Sequence, residues 1–462
     1  MTPARESPAV EPESGARPAG FLFVTPTFPP FVGGTATLAD TMARRLAADG
    51  HRVTVLTTNA VRQTDFWQTP GAVPTRPPSR EVKDGVQVVR LELAYPRPVP
   101  YAFGLRRRVG YWLQRSGLPA AARAPVQRWL ARQMPPLPGL RAALARTVSE
   151  ADLVQVFDSS WDGLFTEASA AAGRTGKPCV VAPLMHLGNP GIRAGYQMAH
   201  QLAAYRNAGA VLALSPSEAR VYAGLGVPPD RVHGIVMGVD PDARTRWGPD
   251  AAEAFRRSHN LARPTLAFLG ANTYDKGAFA LALAVAELGK AGLDVDLVYA
   301  GPLGELLAAF LRKQSPAARA ALEGKVRILG AVDEETKHAL LEACGLLALP
   351  SQVDSFGIVI LEAWLHGKPV IGADAGGIPD LIRPGETGLL VPFGDAPALA
   401  AAIRRLISEP DLAGRLGEAG RKMVLEHYTW DHTYRALTRV YRSLLPAGKP
   451  TAGEGSPISS TG

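Results

Sequence analysis

The chain has 462 residues, more than one core ordinarily serves, so its length predicts two domains of roughly 200 residues each. Hydrophobic residues make up 46% and charged residues 20%, which excludes a low-complexity chain, and no apolar run reaches the roughly 18 residues that span a bilayer. The net charge of +8 is local, because ten arginines and no lysine or acidic residue stand between Glu92 and Glu150. Residues 1–19 and 447–462 carry Pro, Ser, Gly and charge without an apolar stretch and are expected to be disordered tails. Cys179 and Cys344 sit far apart in apolar segments, which suits buried thiols and an intracellular, cytoplasmic location.

In chain order, Phe21–Val24 is a short apolar strand leading through Pro29-Pro30 to Gly33-Gly34. Leu38, Met42, Leu46 and Ala47 then recur at helical spacing until Gly50, and a strand follows over Arg52–Thr57. This opening predicts a β-α-β unit in which Gly33 and Gly34 let the backbone approach a phosphate. It lacks the Gly-x-Gly-x-x-Gly spacing of dinucleotide enzymes, so a nicotinamide cofactor is disfavoured. Further strands are expected at Val86–Leu93, Leu153–Phe157, Cys179–Ala182 and Ala210–Leu214, completing a first domain over residues 20–240. Within it lies the arginine-rich segment 97–146, where Arg106, Arg107, Arg108, Arg115, Arg128 and Arg132 accompany Trp112 and Trp129. Basic residues beside large aromatics suit a helix lying on an anionic membrane surface, and the missing lysines and binding motifs argue against nucleic acid.

Residues 241–264 gather prolines and polar residues and are expected to form a linker. A second series of buried strands begins at Thr265 and continues at Leu297–Ala300, Val326–Leu329, Gly345–Leu349, Pro369–Gly372 and Gly388–Val391, defining a domain over 265–429. Strands alternating with Ala-rich helices imply parallel sheets covered on both faces. The fold class is therefore α/β, with two doubly wound, Rossmann-like domains facing across a cleft.

The most informative segment is Asp354-Ser355-Phe356-Gly357-Ile358-Val359, continuing to Glu362. Two carboxylates stand eight residues apart, with a turn after the first and an apolar run between them. A helix starting at Gly357 exposes unpaired N–H groups suited to a phosphate, and the acids can reach either side of one ligand. Lys276, expected between a strand and a helix, can pair with a diphosphate, and Asn272 can donate a neutral hydrogen bond beside it. Asp294-Val295-Asp296 precedes its strand, where a metal-binding pair of this type would follow one, so no metal site is expected.

These segments, with Gly50-His51-Arg52, Leu214-Ser215-Pro216-Ser217, Gly238-Val239-Asp240, Lys276-Gly277 and Leu349-Pro350-Ser351 in the same order, resemble the retaining glycosyltransferases of family 4, which have the GT-B fold. The resemblance implies metal-independent transfer, with retention, from a nucleotide-sugar donor to a glycan or lipid-linked acceptor bound by the first domain. It implies no cofactor beyond the donor. It assigns Asp354 to the donor sugar's hydroxyls, Glu362 to the ribose, and His186 to the surroundings of the reacting carbon. It also implies that the helix 430–446 packs back on the first domain, and that the protein can lie peripherally on a membrane. Two departures stand out: Ala271 replaces the usual arginine beside the first glycine of the Lys276 loop, and Asp354 is one methylene shorter than the usual glutamate. They motivate an alternative, a catalytically weakened sugar-nucleotide-binding or scaffold protein of the same fold.

Overall fold

The computed structural model describes residues 18–67, 77–94, 102–247 and 249–446. The expected tails over 1–17 and 447–462, together with Arg97 and the side chain of Arg107, lie outside the described residues. Residues 18 and 19 do not belong to a tail, because Ala19 donates its N–H to His51 Nδ1 at 3.2 Å and accepts from Arg52 N at 3.0 Å.

The first sheet has eight strands: β1 (Gly20–Val24), β2 (Arg52–Thr58), β3 (Ser79–Lys83), β4 (Val86–Leu91), β5 (Leu153–Phe157), β6 (Cys179–Ala182), β7 (Ala210–Ala213) and β8 (Val232–Gly234). Their spatial order is β3-β4-β2-β1-β5-β6-β7-β8, all parallel except the β3–β4 hairpin. The second sheet has six parallel strands: β9 (Thr265–Leu269), β10 (Asp296–Ala300), β11 (Val326–Gly330), β12 (Leu346–Leu349), β13 (Val370–Ala373) and β14 (Leu389–Val391), ordered β11-β10-β9-β12-β13-β14. Both sheets are thus doubly wound, as their apolar strands predict, since β1, β5, β9, β10 and β12 are buried throughout.

Each sheet reverses its strand order once, between β1 and β5 and between β9 and β12. Ligands of such sheets bind outside the carboxyl ends of the strands at these switch points. In the second sheet the loop after β9 carries Lys276 and the loop after β12 carries Asp354. Direct pairing of Leu266 with Leu346 and of Ala267 with Leu347 therefore delivers both loops to one crevice.

One expectation is corrected, and one strand is additional to those expected. Residues 241–264 are not a loose linker: helices Ala243–Arg246 and Pro249–Ser258 form there, and Phe255 and Leu261 enter the shared core. Ala251, Ala252 and Phe255 have the helical spacing that makes this possible. The strand β3 went unforeseen because Ser-Arg-Glu-Val-Lys is a largely solvated edge, its pairing set by the positive-φ turn at Asp84-Gly85.

The final helix, Trp430–Leu444, lies against the first domain. Tyr441 packs its ring 5.2 Å from Phe21 and hydrogen-bonds Gln155 Oε1 at 3.2 Å, while Arg45 pairs with Asp431 at 2.6 Å. One hydrophobic cluster runs from β1 through this helix to Trp364 of the second domain, so the domains share apolar packing.

Candidate active site

The helix Ile358–Leu365 is the scaffold of the site. Its β-branched run would suit a strand, but β12 and β13 are parallel neighbours and need a crossover helix between them. Ile360, Leu361, Ala363, Trp364 and Leu365 are buried, and the Trp364 indole N–H donates to Thr387 O at 2.8 Å. Fully burying one such side chain stabilises by roughly 1.5–3 kcal/mol, so the helix is held firmly. Gly357, at φ 87°, makes the left-handed bend before it, where a side chain would be strained. Ile358 and Val359, in the first turn, are only half-buried. The first-turn N–H groups of a helix have no partners within it.

At the mouth of the switch point Lys276 Nζ meets Asp354 Oδ1 at 2.9 Å. Burial pushes the Asp354 carboxyl upward, but the Lys276 ammonium, the Ser351 hydroxyl and His186 together outweigh it and hold the group below its usual range. The acid is therefore ionised at neutral pH. Backbone contacts brace both loops, since Gln352 N donates to Asp275 O at 3.0 Å and Gly377 N to Asp354 O at 2.9 Å. Phe356 is buried with its ring 5.9 Å from that of Tyr428.

The first domain reaches this segment through the loop after β6. Ser355 Oγ donates to Leu184 O at 3.2 Å, and a Cβ at Gly188 would fall 1.8 Å from Gln352 O, so only glycine allows that approach. His186 sits between these contacts, half-buried, its ring 5.5 Å from Tyr196. Glu218 supports the loop from below: its oxygens accept from Met185 N at 2.8 Å and Leu214 N at 2.7 Å, and from the Tyr222 hydroxyl. Burial pushes its carboxyl up to about 7 against these hydrogen bonds.

Gly33 and Gly34 begin the helix Gly34–Ala48 after β1, on the first-domain side, with Thr37 N donating to Gly33 O at 3.0 Å. Asn272 is a correction. It is 0% exposed, and its amide donates to Gly301 O at 2.9 Å and Pro302 O at 3.0 Å, so both N–H bonds are committed to the turn after β10. It positions the Lys276 loop and has no donor left for a phosphate. Glu362 is 9% exposed, and Oε1 accepts from Lys337 Nζ at 2.7 Å. Lys337, Asp380, Glu218 and Gly188 escaped the sequence reading, because their roles arise from contacts between segments 25 to 164 residues apart.

Among the described residues no three His, Cys, Asp or Glu side chains are grouped to hold a metal ion. Asp296 is buried against Arg263 at 3.0 Å and two backbone N–H groups, and Asp294 pairs with Lys325.

The arginine-rich segment forms the helices Ala102–Arg115 and Ala120–Ala131, packed as a hairpin, and ends in a third, Leu140–Ser149. Leu105, Val109 and Trp112 on the first and Val126 and Trp129 on the second stay exposed, with Trp112 at 66% and Trp129 at 59%. Arg108, Arg115 and Arg128 are exposed beside them. Arg132 is exposed as well, and its guanidinium pairs with Glu167 at 2.8 Å, as that of Arg141 does at 3.3 Å. Arg106 turns one N–H to Gln133 O at 3.5 Å. Among the described residues no helix is long and apolar enough to cross a membrane.

Comparison with known proteins accords with this geometry. The family described as "Glycosyl transferases group 1" matches residues 251–423, and "Glycosyl transferase 4-like domain" matches 33–238. Alpha-maltose-1-phosphate synthase of Mycolicibacterium smegmatis is 31% identical over 270 residues, covering 54% of this chain and 67% of its own length. The chain belongs to the group 1 glycosyltransferases of family 4. D-inositol 3-phosphate glycosyltransferase of Streptomyces scabiei is 35% identical over 148 residues, but this match covers 32% of the chain and 33% of that protein. Among solved structures, sucrose-phosphate synthase of Thermosynechococcus elongatus superposes with TM-score 0.67 at 21% identity, covering 92% of this chain and 99% of its own. HepE of Anabaena, solved with UDP-glucose, gives 0.66 at 18% identity, covering 92% of this chain and 100% of its own. At those identities they establish the GT-B fold of this glycosyltransferase.

Proposed function

We propose that this glycosyltransferase moves a hexosyl or related sugar from a nucleotide-sugar donor, with retention and without a metal ion, to a glycan or lipid-linked acceptor presented at an anionic membrane surface. The observation that carries the reading is the Lys276–Asp354 ion pair at the β9/β12 switch point, beside the helix start at Gly357. An arriving diphosphate is the stronger anion for Lys276, so the ammonium passes from Asp354 to the donor and frees Asp354 for the sugar's hydroxyls. Lys276 and the N–H groups of the helix start then stabilise the charge that builds on the leaving diphosphate. Glu362 takes the ribose, and His186, held at the domain seam, faces the reacting carbon. For retention, the acceptor hydroxyl attacks from the face that the diphosphate leaves and gives its proton to a departing phosphate oxygen. HepE, of similar fold, is solved with UDP-glucose, which supports a donor of this class.

The test is a thermal-shift screen of the wild type and Glu362→Ala against UDP-, GDP- and ADP-sugars, followed by NMR assignment of the product anomer with and without chelator. Stabilisation by one nucleotide class, lost in Glu362→Ala, with a retained anomer unaffected by chelator, is expected; at a hundred times the dissociation constant it amounts to about 2.7 kcal/mol. Donor binding without transfer or hydrolysis favours the scaffold alternative that Ala271 motivates.

The membrane part of the proposal rests on the helical hairpin. Its exposed apolar stripe and flanking arginines match an interface-lying surface in which aromatic rings enter the headgroup layer while guanidiniums meet anionic lipid. Cosedimentation with anionic but not zwitterionic vesicles, weakened by salt and lost in Trp112→Ser/Trp129→Ser, is expected. Absence of sedimentation at low salt overturns it.

A further inference from the structure

The two oxygens of Glu362 have different surroundings. Oε1 is fixed by Lys337 Nζ at 2.7 Å, whereas Oε2 is buried and has no hydrogen-bond partner among the described residues. Lys337 comes from the helix Glu334–Ala343 and also holds both oxygens of Glu334 at 2.8 Å. Burial draws its ammonium toward neutrality, but Glu362 and Glu334 outweigh this and raise its pKa, so the cation persists. One residue further on, His338 Nδ1 lies 2.8 Å from His366 Nε2, and His366 Nδ1 meets Glu342. The two helices are thus joined by polar contacts along their length, and Lys337 is the contact that ends on Glu362.

A buried carboxylate oxygen without a donor is costly unless a ligand fills it. Lys337 bears on only one of the two oxygens. It occupies one oxygen of Glu362 and leaves the other without a protein partner among the described residues. We propose that Lys337 is a positioning residue that presents Glu362 Oε2 to the ribose hydroxyls of the donor nucleotide, and thereby sets the discrimination between ribo- and 2′-deoxyribonucleotides. The inference rests on reading Glu362 as the ribose-binding acid.

The experiment is calorimetric titration of wild type, Lys337→Met, Lys337→Arg and Glu362→Gln with UDP, GDP and ADP and their 2′-deoxy counterparts. Wild type is expected to bind the ribo form of one base at least about tenfold more tightly than its deoxy form, because a buried acceptor built for a hydroxyl penalises its loss. Lys337→Met is expected to reduce that ratio to within about twofold, chiefly by weakening the ribo form, while Lys337→Arg retains it. A Lys337→Met protein that keeps the ratio, or weakens both forms equally, overturns the inference. If Glu362→Gln keeps the ratio, it is the ribose reading of Glu362 that fails. Should Lys337→Met not fold, Lys337→Gln carries the same comparison.

Discussion

Asp380 of the second domain grips Ser217 of the first with both oxygens, accepting the backbone N–H and the hydroxyl at 2.9 Å each. Arg220 stands 3.9 Å from the same carboxylate. Ser217 lies on the helix that carries Glu218, and Glu218 holds the backbone next to His186, so the clasp and the His186 loop share one mount. Asp380→Ala removes two hydrogen bonds to a charged acceptor, each contributing roughly 1.5–3 kcal/mol. The expected outcome is a larger radius of gyration in solution scattering and a lower kcat, with nucleotide binding to the second domain unchanged. An unchanged radius and kcat would show that the clasp is dispensable for closure.

Gly188 offers a sharper separation of binding from transfer. A methyl group there would lie 1.8 Å from Gln352 O, which is backbone and cannot step aside. Gly188→Ala is therefore expected to hold the two domains apart at the seam while leaving each folded. Calorimetry should find nucleotide affinity near that of wild type, and kcat should fall by about 10² because a displacement near 1 Å suffices for such a loss. Wild-type turnover in this variant would mean that the active enzyme does not close as described.

Lys276→Met removes the first partner of Asp354. In the wild type the carboxyl is held below its usual range, so the stability contributed by the pair is complete above the unfolded pKa near 3.9 and is lost as pH falls through the lower folded value. In the variant burial dominates, and the Asp354 pKa rises. The acidic limb of the kcat/KM profile is expected to move to higher pH, and its plateau to drop by about 10²–10³. A limb that stays in place would assign the profile to another group.

His338 gives a prediction about stability alone. Burial, Lys337, His366 and Arg246 push its pKa down to about 3, and its ring stacks 4.5 Å from that of Trp247. The unfolded chain takes up this proton near pH 6.5, so stability is complete above that value and declines as pH falls from there toward 3. The loss in Tm between about pH 7 and about pH 5 is expected to be smaller for His338→Gln than for wild type, as differential scanning calorimetry would register. An equal loss in both proteins would place the titrating group elsewhere.

The strands show where local sequence suffices. Leu153–Phe157 and Cys179–Ala182 form where expected, because a strand buried on both faces is largely apolar, and the one polar residue, Gln155, accepts from Tyr441. The acid segment is equally legible: Gly357 supplies the bend, the apolar run supplies the helix, and both acids lie within nine residues of chain. The charged edge strand β3 and the helices of 241–264 were harder, since each is shaped by one partner surface that no local pattern announces. Asn272 misled for a related reason. Its residue type suits a phosphate, but the turn after β10 lies beside it and takes both of its N–H bonds.

What the sequence determined by itself is therefore the buried strands, the doubly wound class and the acid pair, all of them consequences of short-range periodicity and helix-start chemistry. The tertiary structure alone decided who meets whom. Lys276 finds Asp354 because β9 and β12 are neighbours across 78 residues of chain, Lys337 finds Glu362 because two helices pack side by side, and Ser217 finds Asp380 because the domains close. Hydrogen bonds and ion pairs act over about 3–4 Å, so such partnerships exist only once packing has set the distance.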